Sequence, residues 1–389
     1  METKENDKRW HLIRNDNGEW ISDENAVSLS KMEIGILKVW AAKQGKRLSV
    51  QHGPDGTLWC YKHEIETIDF KVKETTINRK LKIRKSMGTK TRSMNQTIKA
   101  FTEKCRKRQE IFRDEMGEPM GVGPWRSSIV PRENMIANGE ITGKNFVNQF
   151  AFEYAKKRVV YKQKNETIDE FRLFNNMLSS QPMAFNLFCP FIQMLEEGKT
   201  ELVTAIFQKA FPQMGIKSVT EVGLEYLHTD VENYLNDKTA MDAIIRYIDI
   251  DDQHSFIAIE TKYTDVLGTN TGSKKARYNE WIKRLGVFLP ETEEALLNGS
   301  KPVSQIYRNF LLTESYGVTE KAGRYYSVIL SPAQHPTTEE EVASLRDELK
   351  SEFRYKVISI TLEDFIEKVL AICPKEENAP FLYFVNRYC

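Results

Sequence analysis

Asp242, Glu260 and Lys262 are the residues of this 389-residue chain whose types and spacing suit a single chemistry. Glu260 and Lys262 are two apart, so on a strand both side chains emerge on one face. A hairpin turn through Asp249-Ile250-Asp251-Asp252-Gln253 lays the strand of Asp242 beside theirs, bringing two acids and one base together. Before Glu260 runs Phe256-Ile257-Ala258-Ile259, an apolar strand expected to be buried. Charges beside a core cost free energy unless they are paired or bind a metal. Two carboxylates with room for water form an all-oxygen site suited to magnesium, with manganese able to substitute. A cation held by Asp242 and Glu260 polarises a phosphate and acidifies a bound water, while Lys262 orients that water and counters developing negative charge. That chemistry is phosphodiester hydrolysis. The plain alternative is a charged pair at an exposed strand end, and the apolar strand leading into Glu260 weighs against it.

These residues need a sheet to hold them. Period-2 and period-3.6 patterning predicts helices over 168–178 and 188–211, then three consecutive strands in SVTEVGLEYL, AMDAIIRYIDI and SFIAIETKYTD. A helical region ending in SQIYRNFLLTES, a strand RYYSVILSP, a helix over 338–353, a strand YKVISIT and a last helix from Leu362 follow. The order is αβββαβ: an α/β fold with a mixed central sheet flanked by helices, preceded by a smaller N-terminal α+β domain. Three parts are expected: 1–115 as the N-terminal module with a basic segment, 116–164 as linker and connecting helix, and 165–389 as the catalytic domain. In the module, Met32, Ile36, Val39 and Trp40 have helical spacing, and LSVQH and GTLWCYK flank a Pro54-Asp55-Gly56 turn. The Gly- and Pro-rich MGEPMGVGPWRSSIVP reads as a linker or ordered loop, and 145–162 as a helix.

The segments SSQPMAFNLF, EVGLEYL, AMDAIIRY, FIAIETKY, QIYRNFLL and YYSVILSP, in this order over roughly 172–349, resemble the PD-(D/E)XK nuclease superfamily, and within it a group of bacterial nuclease-like proteins. The resemblance implies a restriction-endonuclease-like core, metal binding by Asp242 and Glu260 and a water-positioning role for Lys262. It also implies that Glu225 belongs to the site as a further metal ligand or base. The Pro of the nominal PD pair is Met241 here, which leaves the carboxylate in place. By the same analogy the substrate is expected to be DNA and the role restriction or phage defence. The alternatives are an RNase, and a catalytically silent or partner-activated nucleic-acid-binding subunit.

Gln305 and Arg308, one helical turn apart, are candidates to reach the nucleic-acid backbone. From Arg79 to Arg108 twelve Lys or Arg face one acid, Glu103. Within that run Lys82, Arg84, Lys85, Arg106 and Lys107 are candidate phosphate contacts, with a solvated helix face as the alternative. Gln181 and Asn186 are expected to be structural hydrogen-bonders, and His228 to be incidental rather than a general base. Hydrophobic residues at 40% and charged residues at 29% describe a globular chain, and the net charge of +1 averages over an uneven distribution. Five scattered cysteines with no CxxC pair argue against zinc and disulfides, and no phosphate-binding Gly loop appears. With no apolar run long enough for a bilayer and no signal-peptide stretch in the opening residues, a cytoplasmic location without membrane partners is expected. A homo-oligomer or a defence-system partner protein is left open.

Overall fold

The computed structural model describes residues 94–125, 128–162, 168–228, 230–236, 240–265 and 275–389, with 12–14, 20–22, 26–29, 34, 38, 41, 45–52, 58–61 and 64 of the N-terminal part. The chain divides into two compact units, Met1–Lys90 with Asp114–Gly117, and Thr91–Arg113 with Glu118–Cys389.

In the first unit, β1 (Leu12–Arg14) and β2 (Trp20–Ser22) form one antiparallel pair. A second sheet has the order β3 (Ala26–Leu29), β5 (Leu58–Tyr61), β4 (Val50–His52). Ile34, Leu58 and Cys60 make its small buried core. Met32, Ile36, Val39 and Trp40 lie outside the described residues.

The second unit opens with α1 (Met94–Glu115), followed by β6 (Met120–Trp125) and β7 (Ser128–Ile136). The stretch read from its glycines and prolines as a linker or ordered loop is thus largely a β-hairpin. Pro124 and Pro131 sit in a two-stranded ribbon, where a missing N–H need not leave a ladder bond unmade. Helices α2 (Gln149–Val160) and α3 (Glu170–Asn175) lead to α4 (Ser180–Glu196) and α5 (Thr200–Ala210). A single helix over 188–211 was the expectation; Gly198, in the left-handed region at φ 78°, breaks it. The helix also begins earlier, where Ser179 caps α4 by accepting from the Gln181 N–H.

Five strands form the central sheet in the order β12 (Val357–Thr361), β11 (Tyr325–Ser331), β10 (His254–Thr261), β9 (Met241–Asp249), β8 (Ile216–Tyr226). The first three in sequence meander antiparallel, and β11 and β12 join parallel, so the sheet is mixed as the αβββαβ order requires. Asp249 closes the β9–β10 turn by accepting from the Asp251 and Gln253 N–H groups, with Asp252 left-handed at φ 60°.

One face of the sheet is covered by α4, α5 and α10 (Leu362–Ile372), whose Phe191, Phe207 and Phe365 rings pack together. The other carries α6 (Lys275–Leu285), α7 (Pro290–Asn298), α8 (Gln305–Thr319) and α9 (Thr338–Asp347), with Trp281, Phe310 and Tyr316 buried beside Ile244, Phe256 and Ile329. The last helix, α11 (Ala379–Tyr388), carries in its final turn Arg387, which is fully buried and bonded to Gln109 of α1, to Asn145 and to Tyr383.

Asn186 has the structural role expected of it. Its Oδ1 accepts from the Val147 N–H at 2.7 Å, and its Nδ2 donates to the Asn145 carbonyl at 2.9 Å and the Tyr388 hydroxyl at 3.0 Å. Asn186→Ala strands these partners in a dry interior and should cost about 3 kcal/mol, read as a lowered urea midpoint.

Candidate active site

Register alone brings three carboxylates into one row. Ile259 of β10 lies opposite Ala243 of β9, and Leu224 and Tyr226 of β8 lie opposite Ala243 and Met241. One step further along each ladder, Glu260 and Glu225 flank Asp242. Opposed residues of an antiparallel pair hold their Cβ atoms about 5 Å apart, a spacing at which like charges repel.

The consequence falls on Asp242. Burial first, then the Glu260 and Glu225 carboxylates, hold its carboxyl well above the usual carboxylate range, against the pull of the Lys262 ammonium and the Thr261 N–H. The acid is half-buried, and its Oδ2 accepts from the Thr261 N–H at 2.7 Å and the Thr261 hydroxyl at 2.8 Å. Thr261, between Glu260 and Lys262, therefore locks Asp242 to the neighbouring strand.

Glu260 is buried, and both oxygens are gripped. Lys262 Nζ lies 2.6 Å from Oε1, Gln305 Nε2 donates to the same oxygen at 2.8 Å, and Asn309 Nδ2 donates to Oε2 at 2.8 Å. Lys262, also buried, donates to Gln305 Oε1 at 3.2 Å, so Lys262, Glu260 and Gln305 close a triangle. Burial works to lower the Lys262 pKa, but the Glu260 and Asp242 charges outweigh it and hold the ammonium above its ordinary value.

Glu225 takes a backbone conformation rare for its kind, φ 48°, which costs about 1 to 2 kcal/mol and needs outside support. Arg158 of α2 donates to its carbonyl at 3.0 Å, and Gln181 at the start of α4 donates to its Oε1 at 2.8 Å. Gln181 thus braces an acid of the row rather than only a helix start.

The donor set suits a hard divalent cation. Each carboxylate oxygen offers two lone-pair positions. The bonds above fill both on Asp242 Oδ2 and both on Glu260 Oε1, leaving Asp242 Oδ1 and one position of Glu260 Oε2. Two carboxylate oxygens, completed by water and phosphate, are what magnesium takes, and a cation offsets the repulsion along the row. Among the described residues no three His, Cys, Asp or Glu side chains lie close enough to hold a metal without further ligands.

Asp242, Glu260, Lys262 and Glu225 therefore come together, and Gln305 joins them with its amide on Glu260 and Lys262. Arg308, on the same helix, is half-buried. On α1, Arg106 is turned to Glu103 and Asn134, whereas Lys107 exposes 65% of its side chain and pairs with Glu110. Lys82, Arg84 and Lys85 lie outside the described residues. His228 accepts the Asp230 N–H on Nδ1 and packs edge-on against Tyr234 and Tyr316. Asn309 and Arg158 were not singled out by sequence reasoning. Asn309 had a signal, standing four residues after Gln305 and so on the same helix face; Arg158 had none.

A family model described as the PD-(D/E)XK nuclease superfamily matches residues 96–389. Neither the curated proteins nor the solved structures hold a match to the chain.

Proposed function

The chain belongs to the PD-(D/E)XK nuclease superfamily, and from that membership we propose that it is a magnesium-dependent endonuclease that hydrolyses phosphodiester bonds, with DNA as its substrate. The observation that carries the reading is the buried Lys262 ammonium 2.6 Å from Glu260, beside an Asp242 carboxyl whose proton affinity is raised by burial and by its acidic neighbours. Buried charge so arranged is costly without a ligand of opposite sign and is retained where chemistry needs it.

In this reading Asp242 and Glu260 hold the cation, which when bound supplies Lewis-acid polarisation of the phosphate and a more acidic water. Lys262, fixed by Glu260 and Gln305, presents an ammonium to the attacking water and to the negative charge that builds on the phosphate. Glu225, held by Arg158 and Gln181, adds a third carboxylate that deepens the negative field of the row. Thr261 and Gln305 preserve the geometry by occupying the lone pairs that would otherwise let the acids swing. Lys107 on α1 offers a contact to the phosphate backbone, and a steep loss of affinity with salt is the expected signature of such contacts. A role in restriction or phage defence belongs to the same proposal by family analogy. Among the described residues no helix is long and apolar enough to cross a membrane.

The test is digestion of plasmid, linear duplex and single-stranded DNA, and of matched RNA, with and without magnesium or manganese. Metal-dependent cutting of DNA is the expected result. Cutting confined to RNA would replace the substrate, and binding without cutting by the folded chain would favour the nucleic-acid-binding subunit.

A further inference from the structure

Two amides one helical turn apart on α8 grip a single carboxylate. Gln305 donates to Glu260 Oε1 and Asn309 donates to Glu260 Oε2, both at 2.8 Å. The direction of the Asn309 amide follows from chemistry, because turning it over would set Oδ1 against a carboxylate oxygen, two acceptors with no proton between them. Its Oδ1 therefore points away from Glu260. There it is sealed from solvent and accepts from no protein group. Leaving a buried acceptor without a protein donor costs stability that an apolar residue at 309 would keep. Behind Glu260 a cavity of about 10 Å³, lined by Asn309, Thr313 and Ser327, has room for the single water that can donate to such an oxygen.

We propose that Asn309 is a positioning residue for the metal-binding carboxylate, an inference that rests on the nuclease reading. Gln305 and Lys262 fill the lone pairs of Oε1, and Asn309 takes one of the two on Oε2. The remaining position on Oε2 is thereby fixed in direction and offered to the cation. Without Asn309 the carboxylate is held at one oxygen only and can rotate about its last bond, so the cation meets an acid that must first be ordered.

The experiment is a direct Mn2+ titration of the full chain, followed by calorimetry or by the EPR signal of free Mn2+, for wild type, Asn309→Leu and Asn309→Gln, with metal-free thermal melts beside it. Leu keeps the branched shape of Asn and removes its donor; Gln keeps an amide on a longer stem. Asn309→Leu should weaken Mn2+ binding on the order of 10- to 100-fold, with part of the loss regained in Asn309→Gln and metal-free melting close to wild type. Unchanged Mn2+ affinity in Asn309→Leu overturns the assignment. Equal losses in both variants with a lowered metal-free melting temperature also overturn it, since that pattern belongs to a packing residue. A wild type that binds no Mn2+ overturns the nuclease reading as well.

Discussion

Asp242→Asn will abolish metal-dependent cleavage and at the same time make the metal-free protein more stable. Asn keeps an oxygen to accept from the Thr261 N–H and hydroxyl, so the link between β9 and β10 survives. What it loses is the charge that the cation needs, and removal of one electrostatic element of this kind costs on the order of a hundredfold or more in rate. The stability gain follows from linkage. Burial, Glu260 and Glu225 raise the Asp242 pKa in the folded state. Stability from a carboxyl with raised folded pKa is fully present below the unfolded carboxylate range and is lost as pH rises through the folded value. Asn removes that loss, and each tenfold change in proton affinity corresponds to about 1.4 kcal/mol at neutral pH. Thermal melts from pH 4 to 8 should show wild type losing stability relative to Asp242→Asn as pH rises. Adding Mn2+ should reverse the ranking, because saturating a site a hundredfold above its Kd stabilises by about 2.7 kcal/mol and the variant has no such site. Identical pH profiles for the two proteins, or cleavage by the variant at the wild-type rate, would remove Asp242 from the site.

Lys262→Met should lose both activity and stability, in contrast to Asp242→Asn. The Met stem fills the space of the lysine chain, so packing changes little and the lost ammonium dominates. Its removal leaves the Glu260 carboxylate buried without its cation, a change that costs about 3 to 5 kcal/mol for a buried pair. The lower figure is expected here because Gln305 and Asn309 still donate to Glu260. Cleavage should fall by on the order of a hundredfold or more, since nothing else in the row carries positive charge toward the phosphate. The double variant Lys262→Met/Glu260→Gln supplies the check. It removes the stranded charge, so urea denaturation should recover most of the stability while cleavage stays lost. Recovery of neither would mean that the pair serves packing alone. The Lys262 pKa is raised by Glu260 and Asp242 against the effect of burial, so its stabilising contribution persists below the lysine range and disappears only as pH climbs through the folded value. Of these two residues it is therefore Asp242, not Lys262, that contributes to the pH dependence of stability between 4 and 8.

How much of this was legible beforehand divides along the distance over which each cause acts. The continuous apolar run Phe256-Ile257-Ala258-Ile259, the short turn at Asp249 and the two-residue spacing of Glu260 and Lys262 are local, and they determined the strands, the hairpin and the meeting of Asp242 with the other two residues. The order of strands and helices likewise determined a mixed sheet covered on both faces. Backbone geometry translates such patterns into positions with little help from the rest of the molecule. Local signals also misled: a run of helical residues hid the stop at Gly198, and glycines and prolines read as a linker accommodate the ribbon of β6 and β7. What only the tertiary structure decided is which helices lean on the acids. Gln305 and Asn309 lie 45 and 49 residues from Glu260 in sequence, and Arg158 lies 67 from Glu225. Whether such side chains reach the row depends on how α8, α2 and α4 pack over the sheet, and packing is set by the shape of both faces at once. The sequence by itself determined the chemistry that Asp242, Glu260 and Lys262 can share. The folded structure decided how those charges are held still, because the amides that hold them come from elements that meet only when the core is complete.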